Sequence, residues 1–125
     1  MEVLNVQPTT STPAIRSDLS AGILELSGES YPENSFEFYT PVLSWLQEYL
    51  EESESLQLDI KVIYMNSSSI KCMLDMLDML GNAAARGKEI VINWYYDREN
   101  SRALDLAEDF REDVKLPFNI IPVEG

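Results

Sequence analysis

From Asn34 onward the chain alternates segments whose apolar residues recur at helical spacing with segments of strand character, and this alternation constrains the fold more than anything else in it. Phe36, Tyr39, Val42, Leu43, Leu46, Tyr49 and Leu50 lie three or four residues apart, forming the stripe of an amphipathic helix. Asn34 or Ser35 is placed to cap it, Pro41 to sharpen or kink it, and Glu51-Glu52-Ser53-Glu54-Ser55 to end it. Leu56 to Met65 sets Leu58, Ile60, Val62 and Tyr64 against Gln57, Asp59, Lys61 and Ile63, the period of a two-faced strand. A second helix follows over roughly Ser69 to Ala85, with Ile70, Met73, Leu74, Leu77 and Leu80 on one side and Gly87 past its end. Ile90 to Tyr95 has few polar residues, as a central buried strand should. Asp97-Arg98-Glu99-Asn100 starts a third helix containing Ala103, Leu104, Leu106, Ala107 and Phe110. Phe118 to Val123 forms a last strand, with Pro117 and Pro122 marking its ends.

The N-terminal part is plainer. Val3 to Val6 is at most a short strand, and Thr9-Thr10-Ser11-Thr12-Pro13 is turn-prone. Ala14 to Arg16 and Gly22 to Ser27 read as two strands of a hairpin around Asp18-Leu19-Ser20-Ala21, with a loop from Gly28 to Asn34. Strands joined through helices imply parallel pairing with right-handed crossovers, and a hairpin adds an antiparallel part. The expectation is a single α/β domain over residues 1–125, with a mixed, mostly parallel sheet of about five strands and three main helices.

Composition narrows the chemistry. The chain has no histidine, so the commonest general base and zinc ligand are missing and Ser-His-Asp or Cys-His catalysis is impossible. Carboxylates are too numerous for any pair to stand out, and no spacing among Asp75, Asp78, Asp105 and Asp109 suggests a metal; no cofactor is expected. A net charge of −13 argues against nucleic acid or an anionic membrane as partner and is compatible with a basic protein surface. The single Cys72 sits inside the second helix, where a buried inert thiol is expected. Neither a membrane span nor a signal peptide is legible, which makes a cytoplasmic location the expectation.

One segment stands out for function. Asn66-Ser67-Ser68-Ser69-Ile70-Lys71 joins the end of a central strand to the start of a helix. Ligands gather at the carboxyl ends of such strands in open α/β sheets. A serine there either caps the helix or presents a hydroxyl to the positive dipole end, where an added phosphate is stabilised. Lys71 is close enough in sequence to help neutralise that phosphate. Spacing alone does not choose between the two uses.

Five segments together resemble one family. They are Ser11-Thr12-Pro13-Ala14-Ile15, Gly28-Glu29-Ser30-Tyr31-Pro32-Glu33-Asn34-Ser35, Tyr64-Met65-Asn66-Ser67-Ser68-Ser69-Ile70-Lys71, Trp94-Tyr95-Tyr96-Asp97-Arg98-Glu99-Asn100 and Glu108-Asp109-Phe110-Arg111-Glu112-Asp113. In this order they are similar to the SiaC family of bacterial regulatory phosphoproteins, which resemble STAS-type anti-sigma-factor antagonists in fold and logic. The resemblance implies a non-enzymatic protein, phosphorylated on a hydroxyl by an anti-sigma-factor-type Ser/Thr kinase and restored by a PP2C-like phosphatase. It further implies that the unmodified form binds and activates a diguanylate cyclase, controlling cyclic-di-GMP and biofilm formation. The family's acceptor directly follows the motif asparagine and is commonly threonine. Here that position is Ser67, with Ser68 as runner-up under a more general STAS alignment.

The same resemblance makes Tyr31, Pro32, Glu33, Asn34, Asn66, Ser68, Ser69, Lys71, Asp97 and Arg98 partner-contact candidates. Sharing a sheet end should bring Asp97 and Arg98 beside Ser67, with Arg98 steering a phosphate and Asp97 capping the third helix. Trp94, Tyr95 and Tyr96 read as core and rim aromatics, and Met73, Met76 and Met79 as core packing. Two other readings stay open: an anti-sigma-factor antagonist acting on transcription, and a small carboxylate-based enzyme.

Overall fold

A computed structural model describes residues 1–124. Its elements are β1 (Asn5–Val6), β2 (Ala14–Asp18), β3 (Ile23–Ser30), α1 (Ser35–Glu52), β4 (Ser55–Met65), α2 (Ser67–Ala85), β5 (Glu89–Asp97), α3 (Ser101–Asp113) and β6 (Phe118–Val123). They form one six-stranded sheet in sequence order, β1-β2-β3-β4-β5-β6. β1, β2 and β3 pair antiparallel, while β3 through β6 are parallel. The α/β reading therefore holds, with six strands in place of about five; the two-residue β1 is the addition.

Strands in sequence order joined by right-handed crossovers place every helix on one sheet face. Burial follows that rule. Leu56, Leu58, Ile60 and Val62 of β4, and Ile90, Ile92 and Trp94 of β5, are buried with Leu46, Leu50, Met73, Met76 and Phe110 from the helices. Met73 and Met76 are thus core residues, with Met79 packed at its edge. The opposite face is polar: Glu25, Asp59, Asn93 and Asn119 are in register across four strands. Asp59 Oδ1 accepts hydrogen bonds from Gln57 Nε2 at 3.0 Å and Asn93 Nδ2 at 3.1 Å, which satisfies a carboxylate that is largely covered.

Boundaries differ from the sequence reading where pairing or capping decides them. β3 runs to Ser30 because pairing with β4 resumes after a bulge, Glu29 facing Tyr64 and Ser30 facing Met65. Gly28, at φ 107°, sits at this irregularity in a conformation that a side chain would strain. Ile63 is the unmatched residue, between Val62 opposite Gly28 and Tyr64 opposite Glu29. The extra residue inverts the alternation, so Tyr64 is exposed and not on the apolar face with Leu58, Ile60 and Val62. α2 starts at Ser67, two residues earlier than expected. β5 extends to Asp97, so 97–100 does not begin α3; Asn100 caps it, accepting from the Ala103 N–H at 3.1 Å.

Candidate functional site

The site is built where β4 gives way to α2. The Asn66 N–H donates to the Ser30 carbonyl at 2.9 Å, the last tie of the strand to its neighbour. Asn66 Oδ1 then accepts from the Ser69 N–H at 2.9 Å and caps α2. Asn66 Nδ2 donates to the Pro32 carbonyl at 3.4 Å, which fixes the amide's orientation against the 31–34 loop. The cap is therefore asparagine, and the three serines occupy the first three helical positions. Helical geometry points them in different directions. Ser67 is exposed, Ser68 is half-buried and Ser69 is fully buried.

Ser68 and Ser69 belong to a chain of hydroxyls. Tyr39 Oη lies 2.6 Å from Ser30 Oγ, Ser30 Oγ donates to Ser69 Oγ at 2.8 Å, and Ser69 Oγ lies 3.1 Å from Ser35 Oγ. Ser35 Oγ lies 2.7 Å from Ser68 Oγ, which donates to Asn66 Oδ1 at 3.3 Å. Each hydroxyl has one proton to give. Ser30 gives its proton to Ser69, so Tyr39 donates to Ser30. Ser68 Oγ and, at 3.5 Å, Ser35 Oγ both reach Asn66 Oδ1, and Ser35 is hydrogen-bonded to Ser68 and to Ser69. The network links Tyr39 through Ser30, Ser69, Ser35 and Ser68 to Asn66. Ser30, Ser35, Ser69 and Tyr39 are all buried. Among the described residues, Ser67 Oγ has no hydrogen-bond partner.

Burial pushes the Tyr39 phenol up to about 12 from its ordinary value of 10. The folded state thus holds this proton more tightly than the unfolded chain does. That contribution is complete below about pH 10 and is lost as pH rises through about 12. It amounts to roughly 2–3 kcal/mol. Urea midpoints measured from pH 8 to 11.5 should fall at the alkaline end, and Tyr39→Phe should flatten that part of the fall. A midpoint drop equally steep in Tyr39→Phe would assign the loss to other groups.

Electrostatics around Ser67 favour an added anion. The Ser69 N–H is taken by the Asn66 side chain and the Ile70 N–H by the Asn66 carbonyl. The Ser67 and Ser68 N–H groups, at the positive end of the helix dipole, have no intrahelical partner. The first turn of α2 carries no acidic residue, although the chain has 22. Exposed Lys71 follows Ser67 by one turn on the same helix face. Cys72, next to it, is buried; burial, with Asp75 nearby, pushes its thiol up, so it offers no reactive thiolate.

The sequence candidates divide into two groups. Pro32, Asn66, Ser68 and Ser69 meet directly, joined by Ser35. Tyr31 lies alongside, its ring 6.1 Å from that of Tyr64 in an edge-on arrangement. Asn34 caps α1, accepting from the Glu37 N–H at 3.1 Å, and Glu33 is exposed in the same loop. Asp97 and Arg98 are elsewhere. The Arg98 N–H donates to the Val123 carbonyl at 2.9 Å and its guanidinium lies 3.9 Å from Glu124, which directs it toward β6. Asp97 Oδ1 accepts from the Glu99 N–H at 3.0 Å and so shapes a turn instead of capping α3. A crevice of about 720 Å³, lined by Lys61, Val62 and Ile63 on one side and Tyr95, Tyr96 and Asp97 on the other, lies between the diverging ends of β4 and β5. Among the described residues, no hydrogen bond or ion pair joins Arg98 to the serine run.

Several residues escaped the sequence reading. Ser35 is buried at the junction and contacts two of the three serines. Phe36, Ile63 and Tyr64 are large apolar residues that are half exposed or more, and with Tyr31 they edge the same end of the sheet. Ile63 and Tyr64 are turned out by the bulge, for which the isolated Gly28 was the only signal. Among the described residues, no cluster of three Cys, Asp or Glu side chains is placed to hold a metal ion, and no helix is long and apolar enough to cross a membrane.

Comparisons with known proteins converge. Residues 6–123 match the family described as SiaC family regulatory phosphoprotein. An uncharacterized protein of Pseudomonas aeruginosa (strain UCBPP-PA14) is 46% identical over 121 residues, covering 96% of each chain. The crystal structure of apo-SiaC from Pseudomonas aeruginosa superposes with a TM-score of 0.92 at 44% identity, covering 97% of this chain and 99% of that one. A chain of the crystal structure of diguanylate cyclase SiaD in complex with its activator SiaC, from the same organism, also superposes with a TM-score of 0.92. It is 45% identical, with coverage of 96% and 99%.

Proposed function

This chain belongs to the SiaC family of regulatory phosphoproteins, and we propose that it is a non-enzymatic switch whose unmodified form binds and activates a diguanylate cyclase. Phosphorylation of Ser67 by a Ser/Thr kinase of the anti-sigma-factor type turns the switch off, and a PP2C-like phosphatase resets it. Both steps take place in the cytoplasm. The observation that carries this reading is the Ser67 hydroxyl: exposed, without a side-chain partner, and at the acid-free start of α2. Exposed Tyr31 and Tyr64 pack edge-on nearby, with exposed Glu33 and Asn34 in the loop that buried Pro32 ties to Asn66, Lys71 one helical turn on, and Ile63 and Phe36 at the same sheet end. Together they form the docking surface. The structure of a relative as the activator in a cyclase complex supports the choice of partner.

Phosphate works here by charge and hydration. It adds about −1.5 to −2 charge and strong acceptor oxygens to a half-apolar surface that must dry on docking. Binding of this protein to its cyclase should weaken by at least about a hundredfold on phosphorylation, given that mismatched charge at an interface costs several kcal/mol. Titration calorimetry with the unmodified and the stoichiometrically phosphorylated protein measures this directly, with cyclase turnover as the second readout. Equal affinity of the two forms would remove the switch. Capture of a sigma-regulating factor in place of the cyclase would move the protein to transcriptional control.

A further inference from the structure

We propose that Ser35 is a specificity-determining residue for phosphoryl transfer to this chain: its hydrogen bond to Ser68 withdraws that serine from reaction and confines the phosphate to Ser67. The inference rests on the reading of Ser67 as acceptor and concerns what keeps its neighbours from competing.

Transfer from a nucleoside triphosphate needs a serine oxygen lone pair aimed at the γ-phosphorus. The Oγ–P bond forms as the bond from that phosphorus to the leaving diphosphate oxygen breaks, and the hydroxyl proton passes to a base of the kinase. Ser67 meets the requirement as it stands. Ser68 does not, although it is the next residue, the same side chain and part of the same helical turn. Its hydroxyl is held on two sides, by Asn66 Oδ1 at 3.3 Å and by Ser35 Oγ at 2.7 Å. A hydroxyl engaged by two partners within the fold must break one of those bonds before its proton can pass to a kinase base and its lone pair can turn to the phosphorus. Ser69 is buried and held from both sides, by Ser30 at 2.8 Å and Ser35 at 3.1 Å.

Ser35 is the hydroxyl that comes from a distant part of the sequence and touches both competitors. It is the first residue of α1, 33 positions from Ser68, and is 1% exposed. Asn34 already caps α1, so the Ser35 hydroxyl is not spent on its own helix. It points across to α2, where it lies within 3.5 Å of Asn66 Oδ1 as well as of the two serines. In an unfolded peptide the three serines would be equivalent acceptors. Docking of the α1 start against the α2 start makes them different.

The test uses the full chain as Ser67→Ala and as Ser35→Ala/Ser67→Ala, each incubated with Mg·ATP and the kinase that phosphorylates the wild type. Sites are mapped by fragmentation mass spectrometry. Ser67→Ala should take up almost no phosphate. The double variant should gain it at Ser68, roughly tenfold faster, the factor expected from one lost hydrogen bond of ordinary strength. A purely structural role for Ser35 would not create a new acceptor, so a double variant no faster than Ser67→Ala overturns the proposal. Phosphate on Ser68 of the wild type overturns it as well.

A second measurement needs neither kinase nor variant. In the wild type, hydroxyl proton exchange followed by NMR should be slow for Ser35 and Ser68 and fast for Ser67. Equal exchange at Ser67 and Ser68 also overturns the proposal. A wild type that takes up no phosphate anywhere rejects the Ser67 reading, and the proposal with it, yet would leave slow Ser68 exchange in place. The two failures are thereby told apart.

Discussion

Ser67→Ala should take phosphate uptake from one group per chain to none and leave the fold as stable as the wild type. Both halves follow from the same placement. Ser67 is exposed at the first position of α2, and Asn66 does the capping. Alanine is a strong helix former there and leaves no polar group unpaired, so stability should change by no more than about 0.5 kcal/mol. The loss of uptake should nonetheless be complete, because the two adjacent hydroxyls are held in the network with Tyr39. Intact mass after incubation with kinase and Mg·ATP reads the first half, and thermal unfolding reads the second. Undiminished uptake in the variant would reject Ser67 as acceptor. A variant that lost uptake only by unfolding would show it in the melt.

The other large effect lies in the core and separates volume from polarity. Trp94 is fully buried on the helix side of β5, its ring 5.3 Å from that of Phe110 and 6.2 Å from that of Phe118. Among the described residues, its Nε1 is the buried side-chain nitrogen without an acceptor. Trp94→Ala removes the indole from between α3 and β6 and should cost about 3–5 kcal/mol. Trp94→Phe also loses volume, but it discards an unpaired N–H whose burial costs about 1–3 kcal/mol. The phenylalanine variant should therefore cost less than about 1.5 kcal/mol. Urea unfolding of the two variants, with m-values compared to the wild type, decides this. If Trp94→Phe proves as damaging as Trp94→Ala, the indole N–H is satisfied in solution, by water or by a shifted carbonyl.

Legibility in the sequence followed how local each cause is. The helices and the parallel strands were readable because apolar periodicity records which side of each element faces the core. Leu58, Ile60 and Val62 alternate cleanly, as do Val42, Leu46, Tyr49 and Leu50 at helical spacing. The reading went astray at Tyr64, whose side chain the bulge at Ile63 turns outward. A bulge belongs to a pair of strands, and one strand alone carries no register to slip. The caps were underdetermined for a related reason. Asparagine and serine both favour that position, and only backbone geometry showed Asn34, Asn66 and Asn100 filling it three times. Arg98 was expected beside Ser67, and among the described residues no hydrogen bond or ion pair joins it to the serine run. A shared sheet end does not say which side of its strand a loop leans toward, and here its backbone pairs with Val123 of β6.

By itself the sequence determined the class of fold, the absence of histidine chemistry and, through its five matching segments, the family. It also brought the candidate acceptor down to two adjacent serines. These are properties of residue order, which period and spacing carry without reference to distant parts of the chain. Only the tertiary structure decided how Ser67 and Ser68 differ. That difference comes from Ser35 and Tyr39, which α1 carries to the start of α2, and from Ser30, which the parallel pairing of β3 with β4 places beneath them. A hydroxyl's freedom depends on what sits within about 3 Å of it, and in a folded chain those neighbours come from anywhere in the sequence.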